Sequence, residues 1–78
     1  MKVRLKDYDY RIKEFDIDLT NCKNLIIVYT KKSGDEVVYI FDGTELLYEL
    51  DSSSNRTMSY FDDLKILTLE ELKELNNE

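Results

Sequence analysis

The strongest strand pattern along the chain lies between Asn24 and Asp42. Two runs rich in β-branched and aromatic residues, Leu25-Ile26-Ile27-Val28-Tyr29 and Val37-Val38-Tyr39-Ile40-Phe41, flank a polar break around Ser33-Gly34. That pattern predicts a β-hairpin. Side chains alternate along a strand, so Leu25, Ile27 and Tyr29 share one side of the first strand and Ile26 and Val28 the other. In the second strand Val37, Tyr39 and Phe41 oppose Val38 and Ile40. Taking Lys31 to Glu36 as the loop groups Leu25 with Val37 on one face. Strands with one wet face alternate apolar and polar residues. These carry apolar residues on both faces, which predicts two interior strands that need cover above and below.

The flanking segments are read around this hairpin. Residues 2–19 alternate as a strand would, but the phase slips near Lys6-Asp7 and again near Lys13-Glu14. The same residues also form a helical stripe of Leu5, Tyr8, Ile12, Phe15 and Leu19. The aspartates and β-branched residues disfavour a helix. One or two strands with a bulge near Lys13-Glu14 are therefore expected. Thr20 to Lys23 is a short polar connection into the central hairpin. Asp42-Gly43 suits a second tight turn. Thr44 to Leu50 then reads as a third meander strand, with Leu46, Tyr48 and Leu50 on one face and Leu47 and Glu49 on the other.

Asp51 to Asn55 is the most loop-like stretch. Arg56 to Phe61 reads as a short returning strand with Met58 and Tyr60 inward. Asp62 to Leu67 is either extended, with Leu64 and Ile66 alternating, or an early helical turn. Thr68-Leu69-Glu70-Glu71 is a capping box, and Leu69, Leu72 and Leu75 fall on one face of a following helix. Together these elements predict an α+β fold: a small antiparallel β-meander of four to five strands with one short C-terminal helix, as a single domain over residues 1–78. The predicted core is Phe15, Ile17, Leu25, Ile27, Val37, Tyr39, Phe41, Leu46, Leu50, Leu69 and Leu72.

Composition narrows the chemistry. The 78 residues contain no His, Pro or Trp and one cysteine, Cys22. A lone thiol with no histidine to activate it argues against nucleophilic catalysis, and the same counts argue against zinc sites of the Cys/His type. Gly34 and Gly43 are the only glycines and each fits a turn, so no phosphate-cradling loop is present. Asp7 with Asp9, Asp16 with Asp18, and Asp62-Asp63 are carboxylate pairs of the type that hard cations use. They are equally the ordinary dress of a solvated strand. Asn55-Arg56-Thr57 matches the glycosylation acceptor pattern, a chance match in a chain read as cytoplasmic. No catalytic residue, cofactor or metal is expected, and the protein is read as non-enzymatic.

Net charge is −6. Such a charge disfavours nucleic acid and anionic membranes and favours basic partners, though it also serves plain solubility. Lys2, Arg4, Lys6, Arg11 and Lys13 share the N-terminal stretch, but Asp7, Asp9 and Glu14 interleave with them. That is a mixed strand face, and direct nucleic-acid binding wants a net-basic stripe. The absence of alanine and glutamine beside abundant Lys, Asn, Ile and Tyr fits an AT-rich coding sequence, such as a low-GC bacterium or its phage.

Tyrosines beside carboxylates form the candidate binding surface: Asp7, Tyr8, Asp9, Tyr10, Tyr48, Glu49, Asp51, Tyr60, Asp62 and Asp63. The expectation is a small acidic module that docks this acidic-aromatic surface on a basic protein. Its sharpest form is an inhibitor that occupies the phosphate-binding groove of a nucleic-acid-handling enzyme. Small anti-defence proteins such as anti-CRISPRs resemble the chain in size and charge only. The alternative is a structural or assembly module, a homodimer formed through its sheet.

Overall fold

The computed structural model describes residues 1–53 and 63–75. Among them are six strands and one helix: β1 (Lys2–Lys6), β2 (Ile12–Asp16), β3 (Leu25–Lys32), β4 (Asp35–Asp42), β5 (Glu45–Asp51), β6 (Lys65–Leu67) and α1 (Leu69–Glu74). Every pairing is antiparallel. The α+β class and the antiparallel meander through β3, β4 and β5 are as expected. The N-terminal segment, however, makes its own two-stranded ribbon of β1 and β2, while the main sheet runs β5-β4-β3-β6.

The central loop is shorter than expected. Only Ser33 and Gly34 lie outside the strands, with φ of 56° and 89°. Two central residues of positive φ define the turn whose twist matches a right-twisted hairpin. Lys32 consequently pairs with Asp35 and Lys31 with Glu36, placing opposite charges across the ladder. A two-residue turn pairs odd positions with even ones. Ile27 therefore meets Ile40 and Tyr29 meets Val38, while Val28 meets Tyr39 and Ile26 meets Phe41. The expected grouping of Leu25 with Val37 is thus corrected. The inner face carries Leu25, Ile27, Tyr29, Val38 and Ile40, and the outer face carries Ile26, Val28, Val37, Tyr39 and Phe41.

A second correction follows at β5. Phe41 pairs with Leu46 but Ile40 with Tyr48, so Leu47 is the extra residue of a β-bulge. The bulge sends Leu46 to the outer face, where it is exposed, and keeps Tyr48 and Leu50 inside. Of the expected core, Ile17, Ile27, Leu50 and Leu72 are buried in the main cluster, and Phe15, Leu25 and Leu69 pack against it. Val37 is buried on the opposite side of the sheet, and Tyr39 and Phe41 are half-buried there.

The inner face is closed by both flanks of the chain. Val3 and Leu5 of β1 pack on it with Ile17, and Leu72 of α1 joins them. The ribbon runs in unbroken register from Lys2–Asp16 to Lys6–Ile12, without the bulge expected near Lys13-Glu14. Ile12 simply faces solvent, and residues 7–11 form a turn that absorbs the phase slip. The segment before α1 is extended, with Leu67 paired to Ile27 and Ile66 to Val28. The strand expected over Arg56 to Phe61 lies outside the described residues.

The capping box is present. Thr68 Oγ1 accepts from Glu71 N (3.2 Å), and Glu71 Oε1 accepts from Thr68 N (3.1 Å). Glu70 and Glu71 occupy the first turn, where the backbone dipole favours negative charge. The helix has six residues, too few to persist alone, so its stability comes from docking Leu72. Thr68→Ala is expected to cost roughly 0.5–2 kcal/mol. A urea midpoint equal to wild type would show that the cap contributes nothing. The two glycines supply a paired comparison. A Cβ at Gly34 would lie 3.2 Å from Tyr8 Cβ, whereas one at Gly43 meets nothing within 4 Å, and both positions have positive φ. Gly34→Ala should therefore destabilise more than Gly43→Ala, each by about 1 kcal/mol or more. The reverse order in thermal melts would mean that the ribbon does not press on the turn.

Candidate functional site

The polar candidates of the N-terminal turn are held by structural bonds. Asp7 is buried, and its Oδ1 accepts from Asp9 N and Arg11 N, both at 2.9 Å, while Oδ2 accepts from Arg11 Nε at 3.0 Å. Burial works to raise its pKa. The N–H groups of Arg11 and Asp9 and the Arg11 guanidinium together outweigh it and hold the carboxyl below its usual range. Asp9 faces Arg11 at 3.4 Å, and Tyr10, at φ 62°, is the most exposed aromatic side chain of the turn.

Tyr8 donates its backbone N–H to Asp35 Oδ1 (3.1 Å), and Lys6 N donates to Glu36 Oε2 (3.1 Å). Ser52 completes this seam, its Oγ donating to Lys6 O (2.9 Å) and its N–H to Glu36 O (3.1 Å). Asp35 and Glu36 thus accept backbone N–H groups that clamp the ribbon to the tip of the central hairpin, while Asp7 holds the turn of the ribbon itself. Tyr8 and Tyr10 project at this end of the molecule.

Tyr48 lies on the inner face and is half-buried, its hydroxyl accepting from Asp18 N (3.2 Å) and donating to Asp18 O (3.3 Å). It ties the β2 side of the ribbon to β5 and is not on the surface that carries Glu49. Asp18 also accepts from the Thr20 hydroxyl and backbone N–H, which lower its pKa. Tyr48 borders a hollow of about 320 Å³ with Asp18, Asn21, Cys22, Asp42 and Leu47. Burial first, then Asp42 and Asp18, push the Cys22 thiol up, away from the reactive thiolate. Among the described residues no group of three or more Cys, Asp or Glu side chains is placed to hold a metal ion.

The remaining candidates divide between the outer face and its edge. Glu49 pairs with Tyr39 and Asp51 with Val37, so both carboxylates share the outer face with the central strands. Asp63 is exposed beside Leu64 at the β6 edge. Tyr60 and Asp62 lie outside the described residues. Alternation of single residues did not reveal that the outer face unites the acidic and aromatic features. Tyr39 and Phe41, expected in the core, lie there with Val28 and Leu64 around a groove of about 290 Å³. Leu46, Leu64 and Ile66 flank it at 47%, 65% and 69% exposure. Burial first, and the charges of Glu49 and Asp51 after it, raise the pKa of Tyr39, so the field of both carboxylates reaches the ring's hydroxyl.

The outer face is therefore an apolar stripe with acid at one end. Its tip is closed, since Thr30, Asp35 and Val37 are buried there. Lys32 sits at the same tip, paired with Asp35 across the turn. The sheet's edges are poorly suited to pairing: β6 has three residues, and β5 is bulged at Leu47 and carries three acidic residues. No helix among the described residues is long and apolar enough to cross a membrane. Compared with known protein families, curated proteins and solved structures, the chain shows no significant match to any.

The Asp7 geometry fixes a pH dependence. A carboxyl whose folded pKa lies below its unfolded value, near 3.8, stabilises the fold above that value. The contribution is lost as pH falls through the folded pKa. Asp7→Asn should flatten the loss of stability as pH falls below the ordinary carboxylate value of 3.8, relative to wild type. Parallel acid-unfolding curves for the two proteins would show that Asp7 gains nothing from its turn.

Proposed function

We propose that the protein is a non-enzymatic binding module that engages a basic protein through the outer face of its sheet. The observation that carries this reading is the coincidence, on one face, of the Val28–Tyr39–Phe41–Leu64 groove with the Glu49 and Asp51 carboxylates. The largest exposed apolar patch of a small protein is often a functional surface. A net charge of −6 adds long-range attraction for cationic surfaces. The partner class that fits is a nucleic-acid-handling protein, whose phosphate-binding surface presents clustered lysines and arginines. Inhibition would follow from occupying that surface. The Asp7–Tyr10 turn is a second acidic-aromatic feature, but Asp7 is committed to internal donors and Asp9 to Arg11, whereas on the sheet face Asp51 accepts from Ser53 N and Glu49 stands exposed beside the groove.

Immobilised protein is expected to capture a basic protein from a host-cell lysate and to release it as salt rises toward about 0.5 M, because screening shortens the reach of the carboxylates. Glu49→Lys with Asp51→Lys should reduce that capture at least about tenfold, a change of roughly 1.4 kcal/mol. Capture that resists salt and ignores the double substitution would remove the electrostatic reading.

A further inference from the structure

We propose that the occupant of the outer face is an amphipathic α-helix, its apolar side seated in the Val28–Tyr39–Phe41–Leu64 groove and lysines or arginines on its flank facing Glu49 and Asp51. This rests on the binding role proposed above and specifies the partner's form. Three observations define the shape. The groove residues come from β3, β4 and the β6 edge, and Leu46 and Ile66 extend the stripe toward both edges. Four strands at about 4.8 Å spacing give a stripe on the order of 14 Å long across the sheet. Two rows of side chains make it about 7 Å wide. That footprint suits one helix of about 10–12 Å diameter over two to three turns.

Backbone chemistry selects a helix over an extended segment. The middle of a sheet face presents side chains, because the backbone donors and acceptors of β3 and β4 are spent in the ladder. Val28, Phe41, Leu64 and Ile66 have no polar side-chain atoms to offer. A chain laid on them must satisfy its own N–H and C=O groups, and a helix does so internally. The inner face already shows the same solution, with α1 packed beside β6 and its Leu72 buried in the cluster that holds Ile27 and Val38. An outer helix would complete a three-layer arrangement.

Charge selects a cationic occupant over a second copy. Glu49 stands exposed at the β5 end of the stripe with Asp51, whose Oδ1 also accepts from Ser53 N, and among the described residues the one cation that register places on this face is Lys32, set at the tip opposite Asp35. A face-to-face dimer would bring two sets of these carboxylates into one desolvated seam, between chains each carrying −6. Like charges in such a seam oppose association. A helix with leucines on one side and lysines beside them meets both the groove and the acid.

The test uses the full chain and three synthetic 14-residue peptides: an amphipathic Leu/Lys helix, its Leu/Glu counterpart, and a Leu/Lys scramble of equal composition without an apolar side. Titrations are followed by calorimetry and by amide and methyl NMR shifts. The Leu/Lys helix is expected to bind at least about tenfold more tightly than either control. Its shifts should centre on Val28, Tyr39, Phe41 and Leu64. Leu64→Asp and Ile66→Asp, at exposed positions that keep the fold, should each weaken it at least about fivefold, and Glu49→Lys should do the same. Equal binding of the scramble, or shifts centred on Asp7–Tyr10, would overturn the helix proposal while leaving a basic partner in place. Dimerisation of the chain alone through this face would overturn it in favour of a second copy. Failure of all three peptides together with failure of lysate capture would remove the binding role itself.

Discussion

Everything in this fold depends on the two-residue turn at Ser33-Gly34. Its positive φ angles let β3 and β4 run to their ends without a splayed loop, and its length sets odd positions against even ones. That parity decides that Ile27, Val38 and Ile40 become core while Val28, Tyr39 and Phe41 become surface. A slip of one residue would exchange the two sets. The turn is also a docking point, because Tyr8 packs on Gly34 and its N–H reaches Asp35. The element that fixes the register therefore also receives the ribbon that closes the inner face.

Carboxylates play two separate roles in this acidic chain. Glu36 and Asp35 accept backbone N–H groups at the seam between ribbon and hairpin, where no ladder bond joins the two sheets, and Asp7 accepts those of the ribbon's own turn. Glu49 instead lies exposed along the outer face, beside a tyrosine and an apolar groove, and Asp51 on the same face shares the structural role, its Oδ1 accepting from Ser53 N at 2.8 Å. Net charge alone does not distinguish a carboxylate that holds the fold from one offered to a partner. The hydrogen-bond partners do.

Much of the architecture was legible in the residues because it is encoded locally. The central hairpin followed from β-branched runs around Ser33-Gly34, the β5 strand from Asp42-Gly43, and the helix start from Thr68 and Glu71. The facing of the hairpin was missed although its signal was present: Lys31-Lys32 and Asp35-Glu36 are symmetric in charge about Ser33-Gly34, as a two-residue turn requires. The bulge at Leu47 and the separate ribbon were not legible. A bulge leaves no compositional mark in T-E-L-L-Y-E-L, and the Asp7 turn depends on bonds to Arg11 and Asp9 that alternation does not report. The binding surface was half legible. Glu49 and Asp51 were singled out, but their neighbours Tyr39 and Phe41 were assigned to the core by the same parity error.

The division of the core between near and distant parts of the chain bears on how it assembles. β3, β4 and β5 are joined by tight turns, and their pairings span few residues. The inner face is completed only when Val3 and Leu5 meet Val38 and Ile40, and when Leu72 arrives from the far end. Closing those long loops costs entropy before any contact repays it. The three-strand meander is thus the natural nucleus, with the ribbon and α1 docking late. In such a scheme a weakened Leu5 or Leu72 speeds unfolding and leaves the folding rate nearly unchanged, whereas a weakened Ile40 slows folding itself. The lifetime of the native state is then governed by its covering elements and its rate of formation by its central turn.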